Sequence, residues 1–178
     1  MELIHALVQG LWVVLPAYVA NGAAPVFGGE RRMDFGKKFM GRELLGAGKT
    51  WEGFLFAVFA GALVGFVQML LWQSLNQTTA RMGFYLPVLS TASILLIPFF
   101  GMFGDLVASF FKRRLGVKRG ESVPIVDQLD FMLFSIPVAV ILVELSVLSI
   151  IILVVVTPPV HYLFNLLGYQ IGVKEVPW

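Results

Sequence analysis

In the third quarter of the chain a carboxylate, a hydroxyl and an ammonium recur at helical intervals, as Asp105, Ser109 and Lys112, with Arg113 and Arg114 directly behind. At ~100° per residue the first three share one face of a helix. Asp127 and Asp130, three apart at the expected start of another helix, also share a face, where the helix dipole favours negative charge. Three carboxylates beside two or more cations suit a divalent ion and a polyphosphate together. Hard oxygens hold Mg2+, the metal bridges phosphate oxygens, and Lys or Arg neutralises what remains. Asp105, Asp127 and Asp130 are therefore candidate metal ligands and, with Lys112, candidate catalytic groups. Ser109, Lys112 and Arg113 are candidate phosphate contacts. Plainer roles compete: the basic run serves equally as an anchor at a membrane surface, and the two later aspartates as ordinary helix-start acids. Asp105 is harder to explain away, because a carboxylate directly after a long apolar run is costly without a partner.

A second candidate runs from Gly41 through Arg42 and Glu43 to Gly46-Ala47-Gly48-Lys49-Thr50. Its end looks like a nucleotide phosphate loop, but that motif needs glycine where Glu43 stands, and no strand precedes it. A glycine-rich loop leading into a helix still presents free N–H groups, here with Gly48, Lys49 and Thr50, and so makes an anion site. The competing reading is a flexible loop with a capping threonine. Asn21 and Asp34 offer weaker candidates for contacts to a base or ribose, since an asparagine at a helix end is usually a cap. His5 and His161 lack metal-ligand companions at useful spacing and, with Glu144, read as structural.

The elements that must position these residues are membrane helices. Of 178 residues 58% are apolar and only 13% charged, with a mean hydropathy of +0.84, which a water-soluble domain of this size could not hide in one core. Apolar stretches run over 3–20, 54–75 and 86–103, the last continuing as a helix to Lys112 and out of the membrane. Asn21-Gly22 closes the first span and 76–85 forms a polar turn. From Phe131 to Leu166 the chain is almost wholly apolar. At 1.5 Å per residue it would reach roughly 54 Å, against a hydrocarbon core of ~30 Å, so it divides near 144–149 into two spans. Pro158-Pro159 should then kink or break the last one. The fold class is all-α: one membrane-embedded domain over 1–178, with five transmembrane helices and two polar loops.

Charge is placed unevenly. Arg31, Arg32, Lys37, Lys38, Arg42 and Lys49 lie in one loop, and Lys112, Arg113, Arg114, Lys118 and Arg119 in the other. Basic loops favour the cytoplasmic side, which places both loops and Lys174 inside and the amino terminus outside. The net charge of +2 gives no field for nucleic acid. Absence of cysteine excludes disulfides and thiolate metal sites, and the first span lacks the flanks of a cleaved signal.

The series Gly104-Asp105, Ser109, Lys112-Arg113, a following basic residue, Pro124 and Asp127-x-x-Asp130 resembles the signature of the phosphatidate cytidylyltransferase superfamily. With Asp34-Phe35-Gly36, Gly41-Arg42 and Gly46 to Gly53 added, the chain is similar over nearly its whole length to the archaeal branch, the CDP-archaeol synthases. Bacterial and eukaryotic lipid enzymes carry Lys-Asp and a glycine–histidine cluster before the final aspartates. This chain has Lys118-Arg119-Gly120 and Ser122-Val123-Pro124 instead, which favours the archaeal branch over a diacylglycerol phosphate substrate. The resemblance implies Mg2+-dependent transfer of CMP from CTP to 2,3-di-O-geranylgeranylglycerol 1-phosphate, an isoprenoid glycerol phosphate lipid, releasing pyrophosphate. It implies Mg2+ on Asp105, Asp127 and Asp130, phosphates on Lys49, Thr50, Lys112 and Arg113, and cytidine near Asn21. The isoprenoid tails would enter sideways between spans from the inner leaflet. From other classes, a small transporter or channel would also carry ionisable groups in membrane helices. A CDP-alcohol phosphotransferase would need aspartate-glycine and alanine-arginine elements that are absent.

Overall fold

The computed structural model describes residues 1–118 and 120–172; Arg119 and Lys174 lie outside them. Five helices follow in chain order: α1 Glu2–Ala23, α2 Trp51–Ala80, α3 Thr91–Arg114, α4 Val126–Val143 and α5 Val147–Gln170. All five are long and apolar enough to cross a membrane. Between α1 and α2 two short strands, β1 Lys38–Phe39 and β2 Arg42–Glu43, pair antiparallel. The all-α class holds, with this hairpin as a small addition.

Helix ends follow local chemistry. Ser90 and Ser146 cap α3 and α5 by accepting N–H groups from Ser93 and Ser149, each satisfying one of the open donors of a first turn. The α4–α5 break falls where expected, at Glu144, whose φ of 53° ends the helix in a left-handed turn. Three boundaries differ from expectation. Asn21-Gly22 lies inside α1, which stops just before Pro25. α2 continues through the polar residues 76–80, where Thr78 Oγ1 donates to the Ser74 carbonyl at 3.0 Å. α3 begins only at Thr91, because Pro87 cannot donate within a helix and Ser90 provides the cap. The expected break at Pro158-Pro159 does not appear. α5 runs on through both prolines, and Thr157 Oγ1 just before them donates to the Leu153 carbonyl one turn back at 2.5 Å; prolines are tolerated within membrane-spanning helices.

The helices alternate in direction. The end of α1, the start of α2, the end of α3, the start of α4 and the end of α5 all line one cleft, so both basic loops sit at the same end of the bundle. At the other end His5 and Gln9 meet the backbone of Tyr85, and Trp12 and Trp72 donate to the carbonyls of Pro87 and Leu86. His5 thus has the structural role expected of it. The core lies between, on Val13, Val14, Ile97, Phe131, Met132 and Leu153. α3 and α4 are in close contact at Gly104, where an added Cβ would run into the Asp130 carbonyl and the Phe134 ring. Small residues permit such contacts between membrane helices.

Candidate active site

The cleft at the polar end has a volume of about 1090 Å3. Its charged rim is built from Lys49, Asp105, Lys112, Asp127 and Asp130, and its deeper wall includes Leu11, Leu15, Val160 and Phe164. A polyanion and an apolar chain can therefore be met by one cavity.

The α3 face predicted from spacing is real: Asp105, Ser109 and Lys112 all line the cleft. The close approach at Gly104 carries the start of α4 to this face, so Asp127 and Asp130 join them. Lys49 Nζ lies 2.6 Å from both oxygens of Asp105. Lys112 Nζ lies 2.8 Å from Asp127 Oδ1, while Asp127 Oδ2 accepts the Val123 N–H at 3.0 Å and holds the loop before α4. Asp130 Oδ1 takes the N–H of Phe131 at 2.6 Å, and Asp130 is within electrostatic range of Asp105, Lys49 and Asp127. These pairs are half-buried, with side-chain exposures from 16% to 26%, where charge pairing is worth more than at a surface. Among the described residues, no group of three or more His, Asp or Glu stands ready to hold a metal ion; Asp105 and Asp127 each face a lysine instead.

Lys49 is aimed by the loop that precedes α2. Met33 N donates to the Lys49 carbonyl at 2.8 Å and Trp51 N to the Arg31 carbonyl at 3.0 Å, so two stretches of the loop run side by side. Asp34, 2% exposed, gathers this loop from within. Its carboxylate accepts the N–H groups of Gly36, Leu45 and Gly46 and pairs with Arg32 at 3.2 Å. Burial alone would push its pKa up, but the three N–H groups and the Arg32 guanidinium outweigh it and hold the carboxyl below its usual range. Asp34 is thus spent inside the loop and does not line the cleft.

Gly48 and Thr50 line the cleft as expected, and the chain itself takes up part of the loop's N–H set. Lys49 N donates to the Gly46 carbonyl, Trp51 N to that of Arg31, and Gly53 N to Thr50 Oγ1. Thr50 is the cap of α2, and its oxygen also takes the Gly29 N–H at 3.2 Å. Arg113 is not brought in. It turns from the cleft into a small recess with Arg42, Glu43 and Lys118, and donates to the Lys118 carbonyl at 3.4 Å.

The chain matches, over residues 2–178, the family model described as CarS-like, CDP-archaeol synthase. The chain belongs to the CDP-archaeol synthase family. The CDP-archaeol synthase of Halobacterium salinarum is 38% identical over the whole of both chains. That of Methanocaldococcus jannaschii is 39% identical over 97% of each. A solved structure described as an intramembrane enzyme for archaeal membrane lipids biosynthesis is 32% identical, with a TM-score of 0.73 over 93% of this chain and 95% of its own. As a member of the family the chain is a cytidylyltransferase and a multi-pass membrane protein, and the transporter or channel reading has no support.

Within a CDP-archaeol synthase fold, Asn21 lines the cleft, and its Nδ2 lies 3.0 Å from His161 Nε2. His161 stands in the cleft wall, stacked on Phe131 and 3.2 Å from Asn165 Nδ2. Tyr18 OH meets Thr157 Oγ1 at 2.6 Å. Reading His161 as merely structural misses this placement. The signal available was Thr157, His161 and Asn165 at four-residue intervals, a polar stripe on an otherwise apolar helix.

Proposed function

We propose that the cleft transfers CMP from CTP to 2,3-di-O-geranylgeranylglycerol 1-phosphate, or a close isoprenoid relative, forming CDP-archaeol-type lipid and pyrophosphate. The observation that carries this reading is the meeting of Asp105, Asp127, Asp130, Lys49 and Lys112 on one rim of a cavity whose wall is apolar. A lipid phosphate oxygen attacks the α-phosphorus of CTP and a new P–O bond forms. The bond from that phosphorus to the bridging oxygen breaks, and its electron pair leaves with pyrophosphate. The attacking group is already an anion, so no protein nucleophile is required. Lys49 and Lys112 balance phosphate charge and orient the triphosphate. Ser109, Gly48 and Thr50 border the same space, and Asn21, which lines it beside His161, would contact the cytidine.

The carboxylates of Asp105, Asp127 and Asp130, each of the first two paired with a lysine and the three not gathered as one ligand group, are of the donor type that Mg2+ takes. Asp105, Asp127 and Asp130 present hard oxygens with lone pairs beyond those used now, and Asp130 Oδ2 accepts no hydrogen bond among the described residues. Once bound, the ion supplies charge neutralisation at the reacting phosphates. The basic loops at the cleft end support a cytoplasmic opening, where CTP is available. The test is purified protein with CTP labelled in the α-phosphate, Mg2+ and geranylgeranylglycerol phosphate, compared with phosphatidic acid. Label should pass to the lipid extract, preferring the isoprenoid substrate. Asp127→Ala and Asp130→Ala should abolish transfer in folded protein. Full activity in both would remove the metal assignment.

A further inference from the structure

The segment around β1 and β2 is built from two successive tight turns of unusual composition. In the first, Lys37 N donates to the Asp34 carbonyl at 2.8 Å, and the central residues Phe35 and Gly36 have φ of 51° and 73°. In the second, between paired Phe39 and Arg42, the central residues Met40 and Gly41 have φ of 53° and 75°. Positive φ at both central positions selects Asn, Asp or Gly, and bulky side chains there are rare. Here the first position of each turn carries a large apolar side chain, and both point into solvent: Phe35 is 74% and Met40 79% exposed. Local propensity is overridden to display apolar groups that stay exposed among the described residues.

The side on which this display sits identifies its partner. Arg114 donates to the carbonyls of Phe39, Arg42 and Glu43 and lies over the rings of Phe39 and Phe110. Counting ~100° per residue from Asp105, Phe110 and Arg114 fall about 140° and 180° round α3, on the face turned away from the cleft. Phe99 and Phe103, on the same side further down, are 40% and 41% exposed on a membrane-spanning helix. The hairpin therefore continues the lipid-facing wall of α3 at its polar end. Lys37 and Lys38 are exposed beside the apolar trio and make no ion pair among the described residues.

We infer that the hairpin is an interfacial anchor: Phe35, Phe39 and Met40 dip into the headgroup–acyl boundary of the surrounding leaflet, and Lys37 and Lys38 rest on anionic lipid headgroups. Apolar side chains flanked by lysines are what such a boundary binds. The same loop carries Lys49, so anchoring its tip also fixes the level of a residue that lines the cleft. The inference does not depend on what the cleft binds.

Absence of native cysteine makes the test clean. Phe35→Cys and Met40→Cys, each carrying a nitroxide label, are reconstituted in vesicles of phosphatidylcholine alone or mixed with phosphatidylglycerol. Collision with oxygen against a water-soluble nickel chelate then reads depth. Both labels should lie below the phosphate level in the anionic vesicles and shallower in the neutral ones. Lys37→Glu with Lys38→Glu should remove that difference for the Met40→Cys label. Labels in anionic vesicles as accessible to the nickel chelate as a free nitroxide in bulk water would overturn the anchor. Equal depth in both vesicles would overturn the role of the lysines.

Discussion

Replacing Gly104 by alanine should cost turnover as well as stability, through the spacing of two helices. The added Cβ would lie 2.8 Å from Phe134 Cδ2, with the Asp130 carbonyl oxygen closer still. Carbon atoms pack at ~3.5–4.0 Å, so α3 and α4 must part by about 0.7–1.2 Å. That contact joins Asp105 directly to the helix start carrying Asp127 and Asp130, and a displacement near 1 Å in a reacting constellation costs roughly 10²-fold in rate. Overpacking itself costs about 1–3 kcal/mol. Gly65→Ala separates the two effects. Its Cβ meets Ile94 Cβ at 2.8 Å, a comparable overlap towards the other end of the bundle, so it should lower thermal stability similarly while preserving turnover per folded molecule. The assay is label transfer from CTP to lipid under saturating substrates, normalised to monodisperse protein, with thermal unfolding in parallel. Gly104→Ala turning over at the parent rate would refute the claim that this helix contact sets the spacing of the carboxylates.

Lys49→Met leaves Asp105 without its partner in a half-buried pair, which should cost about 2–4 kcal/mol of stability. Adding Asp105→Asn should recover most of that loss in thermal unfolding but none of the transfer activity; an unchanged melting temperature in the single variant would argue against the pair. The loop before α2 should loosen in acid. Asp34 has a lowered folded pKa, so its stabilisation is complete above the unfolded carboxyl value of about 3.9 and is lost as pH falls through the folded value. Protection of the Leu45 and Gly46 amides, whose N–H groups it accepts, should fall relative to intrinsic exchange over that range, and Asp34→Asn should flatten the dependence.

Much of this was legible in the sequence because it depends on single elements. The spacing of Asp105, Ser109 and Lys112 places them on one side of any helix, and that side does face the cleft. The separation of α4 from α5 follows from the length a bilayer allows. Capping and turn chemistry was less visible: Thr50 and Asp34 are of types that serve either ligands or their own backbone, and here hydrogen bonds with the loop claim them. Arg113 shows the same limit, since adjacent residues on a helix diverge by ~100° and only its neighbour Lys112 faces inward.

What the sequence alone determined is the number of apolar helices, the gathering of basic residues in two loops and the family. Each is set by one-dimensional properties, namely hydropathy, period and motif. Tertiary structure decided which distant groups meet. Lys49 finds Asp105, Lys112 finds Asp127, and His161 reaches Asn21, because the helices pack antiparallel and glycine lets α3 and α4 close to contact. Such pairings depend on rotation and spacing between helices, which lipid-facing hydropathy leaves unspecified and only packing fixes.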